Sequence, residues 1–233
     1  MPAPDATLVV LAKAPVAGLA KTRLAPRYGA RGAALLAAAA LQDTLDAVAA
    51  APARRRVLVL AGDLAASAGP VDVPAGFEVV PQVPGTHAER IAAALGECTG
   101  PALLVGMDTP QLTPALLSLP GQAGAWLGPA QDGGWWALGF GDPARYASAA
   151  LAGVPMSTPD TGAAQYRRLR ALGLTVTRLP ILRDVDDPAD AAAVAALAPA
   201  TRFAAVHRQL LAAAVTASVN ASVGGSLGAG PAR

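Results

Sequence analysis

The sequence predicts an α/β layer fold with a mainly parallel sheet. Two observations carry this. Between Thr7 and Gly106, short apolar β-branched or Leu-rich runs alternate with stretches of helical length. The chain has 233 residues, enough for one large domain and short for two. In order, Thr7–Ala12, Val57–Ala61, Phe77–Val80 and Ala102–Gly106 read as buried strands. Gly32–Ala50, rich in Ala and Leu, and Ala88–Glu97 read as the helices between them. After Asp108 the pattern changes. Ala125–Gly128, Trp135–Phe140 and Leu174–Leu179 are strand-like, with Gly and Pro densely placed among them. A helix is expected over Thr161–Leu172, with Ser157, Thr158 or Asp160 as its N-cap and Gly173 past its end. Another begins at Asp187-Pro188, with Pro in the first turn. The expected organisation is one domain over 1–200, a C-terminal helix over 201–216 and a disordered Gly/Ala/Ser tail over 217–233.

Composition narrows the function classes. The longest uninterrupted apolar run, Ala33 to Leu41, is shorter than the roughly 18 residues a spanning helix needs. No basic segment precedes an apolar core at the N-terminus, so a signal peptide is not expected. A single cysteine, Cys98, gives neither an internal disulfide nor a zinc site, and a reducing cytoplasm is the expected setting. The net charge of +2 argues neither for nor against nucleic acid, but no broad basic patch with interleaved aromatics is present, so a nucleic-acid partner is not expected.

Both lysines of the chain, Lys13 and Lys21, lie in the loop after the first strand, with Thr22 and Arg23. A strand, a Gly-containing loop and a helix are a common phosphate-holding arrangement. The loop is not a P-loop, because Ala20 precedes Lys21, and it carries no G-x-G-x-x-G fingerprint. Its residues fit either a polyphosphate site or a solvated turn.

Asp108 stands just past a strand, where open α/β sheets bind ligands. In Asp184-Val185-Asp186 the alternation of an extended chain puts both carboxylates on one side. Converging carboxylates call for a cation, and Mg²⁺ uses carboxylates together with substrate phosphates. Asp187 and Asp190 fit ordinary helix capping. Asp132-Gly133-Gly134 permits a tight turn and close backbone approach. Trp135 and Trp136 then face opposite sides, one for the core and one for a pocket border or the core.

Together these stretches resemble the DUF2064 family of bacterial transferases, within the GT-A-like nucleotide-diphospho-sugar transferase superfamily. The matching segments are AKAPVAGLAKTRL, PQVPGTHAERI, GMDTPQLTP, GPAQDGGWWALG, MSTPDTGAAQ and LRDVDDPADA. The resemblance implies a single three-layer α/β/α domain with a mixed, mostly parallel sheet. It implies a nucleotide, NTP or NDP-sugar, bound by Lys13, Gly18, Lys21, Thr22, Arg23 and Arg90, and a small-molecule acceptor. Mg²⁺ (or Mn²⁺) would be held by Asp108, Asp184 and Asp186, and Asp108, Lys21 and Asp132 would be the catalytic set. Lys21-Thr22-Arg23-Leu24 also resembles the basic segment of the phospholactate guanylyltransferases, a related group. Two departures stand out. Gly85-Thr86-His87-Ala88 replaces a Gly-Asp-Leu-Gly segment, removing an acid and adding an imidazole. Trp135-Trp136 replaces an aromatic pair that usually contains tyrosine. The expected activity is nucleotidyl transfer with pyrophosphate release, with glycosyl transfer and non-catalytic nucleotide binding as alternatives.

Overall fold

A computed structural model describes residues 6–121 and 124–225, with side chains through Thr216. Seven strands form one sheet: β1 (Thr7–Lys13), β2 (Arg55–Ala61), β3 (Phe77–Pro81), β4 (Ala102–Val105), β5 (Ala125–Pro129), β6 (Trp135–Phe140) and β7 (Val176–Arg178). Their order is β3-β2-β1-β4-β6-β5-β7. Only β6 runs against its neighbours, pairing antiparallel with β4 and β5. The sheet is thus mixed and mostly parallel, as expected.

The continuous apolar runs of β1, β2 and β4 follow from burial on both faces. Leu8 and Val10 line one face with Leu58, Leu103 and Val105, under Leu41, Leu45 and Val48 of α1 (Ala25–Ala50). Val9 and Leu11 line the other with Val57, Val59 and Leu104. That face is covered by α2 (His87–Gly96), α3 (Pro143–Leu151) and α4 (Thr161–Ala171) through Ile91, Leu95, Leu151 and Leu169. A third apolar cluster joins the outer side of α1 to α5 (Pro188–Leu197) and α6 (Arg202–Gly225) through Leu36, Ala40, Val194 and Phe203.

The structure refines several expectations. Phe77–Val80 is an edge strand with Val79 exposed, not a buried one. α1 begins before Gly32, but Gly29 breaks it with φ +71°, so the regular helix starts close to where the sequence places it. α3 has no counterpart in the expected elements, although Asp142-Pro143 carries the Asp N-cap and Pro signature of Asp187-Pro188. The last helix, expected to end at 216, continues to Gly225, and 226–233 lie outside the described residues. The helical stretch Thr22–Ala50 is long and apolar enough to cross a membrane. Here 78% of its most apolar window is buried inside the domain, so it serves as a core helix.

Candidate functional site

The carboxyl ends of β1, β4, β5 and β7 bring the sequence-predicted residues together. In the loop after β1, Gly18 turns the chain at φ +79°. Lys21 follows in a left-handed conformation (φ 45°, ψ 48°) and starts a short 3-10 turn, Thr22–Leu24. Leu24 is fully buried in the third apolar cluster and anchors that turn. The Lys21 ammonium then donates to Asp108 Oδ2 and Asp186 Oδ1, each at 2.8 Å. Arg23 reaches Asp186 Oδ2 at 3.4 Å. Burial alone would lower the Lys21 pKa, but Asp108 and Asp186 outweigh it and hold the lysine well above its ordinary value. Burial pushes Asp186 up; Lys21, then Arg23, pull it below the ordinary carboxylate range.

Asp108 and the Asp184–Asp186 segment are locked to each other through the backbone. The Val185 N–H donates to the Asp108 carbonyl at 2.9 Å, and Val185 itself is buried. Asp184 and Asp186 therefore project on the same side, as alternation requires. Asp132 arrives from the turn after β5, where its Oδ1 accepts from Gly134 N–H at 2.7 Å. One carboxylate oxygen from each of Asp132, Asp184 and Asp186 lies within 4.8 Å of the others. No ion pair reaches Asp184 among the described residues. Burial, then Asp108 and Asp132, push its pKa up to about 7.

The Asp132-Gly133-Gly134 turn and the MSTPDTGAAQ segment pack against each other. A Cβ at Gly133 (φ +92°) would lie 2.0 Å from the Pro159 carbonyl oxygen. The Gly162 N–H donates to the Gly133 carbonyl at 2.8 Å, tying the start of α4 to the Asp132 turn. Trp136 is buried and donates to the Pro180 carbonyl at 2.9 Å. Trp135 packs on the opposite face, half-buried. In the PQVPGTHAERI stretch, Thr86 and Glu89 form a capping box for α2. His87 begins that helix. Desolvation, then Arg90, lower its pKa, while Asp108 opposes them.

The remaining expected ligands lie at the rim. The Lys13 ammonium is exposed and donates to the Leu19 carbonyl, while its backbone N–H reaches Met107 Sδ at 3.3 Å. Thr22 is exposed. Arg90 donates to Gln82 Oε1 and the Thr86 carbonyl instead of joining the carboxylates. Two glutamines without an assigned role turn out to organise the site. Gln82 donates to the carbonyls of Ala12 and Val59 and fixes the ends of β1 and β2. Gln111 donates to the Arg183 carbonyl at 2.5 Å, next to Asp184. Both lie inside the quoted motifs, in PQVP and DTPQ, which is the signal that could have found them.

A family model described as "Uncharacterized protein conserved in bacteria (DUF2064)" matches residues 44–158. The match spans just under half of the chain. It carries Asp108 and Asp132, whereas Lys21, Asp184 and Asp186 lie outside the DUF2064 match. No curated protein matches the sequence. Among solved structures, a provisionally named nucleotide-diphospho-sugar transferase from Desulfovibrio desulfuricans G20 is 24% identical with a TM-score of 0.78, covering 89% of this chain and 95% of its own. A homologue of Mycobacterium tuberculosis Rv0371c from Mycobacterium sp. strain JC1 is 16% identical, with a TM-score of 0.51 and coverage of 88% and 98%. The 2-C-methyl-D-erythritol 4-phosphate cytidylyltransferase of Thermus thermophilus is 17% identical, with a TM-score of 0.50 and coverage of 84% and 99%. The chain thus shares its α/β fold with these structures.

Proposed function

We propose that this protein is a divalent-metal-dependent transferase that moves a nucleotidyl group from an NTP to a small anionic acceptor and releases pyrophosphate. One observation carries the reading: Lys21 and the carboxylates of Asp108, Asp132, Asp184 and Asp186 converge at the carboxyl ends of the strands. The donor set suits a hard divalent ion. All its ligands are carboxylate oxygens, three of them are within 4.8 Å of one another, and no ion pair reaches Asp184 among the described residues. Asp132, Asp184 and Asp186, with Asp108 alongside, would hold Mg²⁺ or Mn²⁺, which would neutralise phosphate charge.

The residues of this chain would do the rest. An acceptor oxygen, already ionised, attacks the α-phosphorus, and the bond from that phosphorus to the bridging oxygen of the β-phosphate breaks. The electron pair of that bond leaves with pyrophosphate. Lys21, Arg23 and the exposed Lys13 offer three positive charges to the polyphosphate, the expected role of a loop with no nucleophile. Asp132 and Asp108 flank the reacting groups, and Arg90 and Gly18 complete the nucleotide-binding rim. A second reading, glycosyl transfer from an NDP-sugar, is favoured by His87. Desolvation and Arg90 favour its neutral imidazole, the form a base toward an acceptor hydroxyl would need. Proteins with each kind of name share the fold.

A thermal-shift screen of NTPs and NDP-sugars, with and without Mg²⁺, tests the proposal. Stabilisation by an NTP with Mg²⁺, and none by NDP-sugars, is the expected result. Stabilisation by an NDP-sugar alone would replace it with the second reading. No response to any nucleotide would remove both.

A further inference from the structure

We infer that Lys21 is a built-in cation that competes with the divalent ion for the acidic cluster, and that a phosphate-bearing substrate opens the metal site by drawing this lysine away. The inference rests on the metal-dependent reading above and adds a loading order to it.

The geometry points to competition at one residue. Asp186 belongs to two groups at once. It is one of the three carboxylates that lie within 4.8 Å of one another, and it is also the partner of the cationic loop. Both its oxygens are already engaged, Oδ1 by Lys21 at 2.8 Å and Oδ2 by Arg23 at 3.4 Å. An ion that takes Asp186 as a ligand must displace or share one of these contacts. Asp108 is in the same position, since its Oδ2 holds the second donor of Lys21. Asp184 and Asp132 have no such ion pair among the described residues. The cluster is therefore divided into a half that Lys21 pairs with and a half that no cation pairs with among the described residues.

Lys21 is suited to exchange. The Lys21 side chain is 18% exposed, whereas that of Arg23 is 75% exposed, so the lysine is the deeper and less screened competitor. Its ammonium rides on a flexible four-carbon stem and can leave the carboxylates while Leu24 keeps the loop anchored. A triphosphate offers that ammonium more negative charge than two carboxylates do. Binding of the two ligands is then coupled. What removes Lys21 from Asp186 tightens the metal, and the metal tightens the anion by the same factor.

The test is Mn²⁺ binding to the full chain without nucleotide, followed by electron paramagnetic resonance. Lys21→Met should bind Mn²⁺ roughly tenfold more tightly than the wild type, because one close positive charge is gone. Lys21→Arg keeps that charge and should stay within about threefold of the wild type. Asp184→Asn should lose most of the binding. If Lys21→Met does not fold, Lys21→Gln removes the charge while keeping donors for both carboxylates, and the same gain is expected. Equal or weaker Mn²⁺ binding in the charge-removing variant, with Asp184→Asn still defective, would overturn the competition and leave the metal site standing. No Mn²⁺ binding by any form would remove the metal-dependent reading, and this inference with it.

Discussion

Asp184 gives the most direct physical test of the acidic cluster, and it needs no substrate. Its carboxyl sits beside Asp108 and Asp132 without a cation, and its folded-state pKa is pushed from 3.8 to about 7. Below the unfolded value the proton is bound in both states and Asp184 costs nothing relative to a neutral residue. As pH rises through about 7 the folded protein must accept a charge that its surroundings disfavour, and the favourable proton binding is lost. With 1.36 kcal/mol for each tenfold, the full cost by pH 8 could reach about 4 kcal/mol. The site is half-open to water, so screening brings a realistic figure to about 1–2 kcal/mol. Asp184→Asn removes that charge while keeping the shape. In calorimetry with a chelator present, the variant should melt about 2–6 °C above the wild type at pH 8 and level with it at pH 4. Adding Mg²⁺ should raise the wild-type Tm and leave the variant where it was, since the ion would supply the missing counter-charge. A variant that melts lower than the wild type at pH 8, or a difference that is the same at both pH values, would refute the electrostatic account.

Three further outcomes follow from the geometry. Lys21→Ala should weaken Mg²⁺–triphosphate binding by more than about 1 kcal/mol in calorimetric titration, the scale of a lost charge-assisted hydrogen bond; an unchanged affinity would return the loop to a solvated turn. Gly133→Ala must move either a left-handed backbone or the Pro159 carbonyl, and should destabilise the fold by about 3 kcal/mol, read as a large fall in Tm. A Tm within a degree or so of the wild type would show that the Asp132-Gly133-Gly134 turn and the MSTPDTGAAQ segment are not packed as described. Gln111→Leu removes one bond to the Arg183 carbonyl but also removes a buried Gln111 Oε1 that has no partner, so stability should change by only about 1 kcal/mol. Mn²⁺ affinity should nevertheless fall, because Asp184 loses the support of its neighbouring carbonyl; unchanged affinity would make Gln111 a packing residue only.

The fold was legible where burial writes itself into the chain. β1, β2 and β4 are apolar on both faces because helices cover both, and a continuous run of Val and Leu is the mark of that environment. Position within the sheet leaves no such mark. Phe77–Pro81 carries the same β-branched residues as its neighbours, but it lies at the edge, and only the sheet order reveals this. The β4–β6 antiparallel pair is invisible for the same reason: it joins Ala102 to Phe140 across a segment that contains β5. α3 is a different case, since its Asp-Pro start was in plain view; at nine residues it is the shortest α-helix among the described residues.

The site was legible as a set of residue types and not as a set of pairings. Asp108 stands just past β4, and Asp184 and Asp186 stand between β7 and α5; such placement is local. That Lys21 bonds to Asp186, 165 positions away, is a product of the whole topology. The same limit applies to Asp187 and Asp190, which the sequence explains fully as helix caps. They are caps: Asp187 accepts from the N–H groups of Ala189 and Asp190 at the start of α5, and Asp190 Oδ2 accepts in return from the Asp187 N–H. Yet Asp190 Oδ2 also accepts from the backbone N–H of Asp186, and its Oδ1 pairs with Arg183. The cap therefore holds the residues on either side of Asp184-Val185 in place. A carboxylate at the first turn of a helix can accept several hydrogen bonds and need spend only one on the helix. Here the remaining capacity fixes the backbone that presents Asp186, so helix stability and site geometry depend on one side chain. Asp190→Asn should accordingly lower both the Tm and the Mn²⁺ affinity, where a cap with no second role would lower the Tm alone.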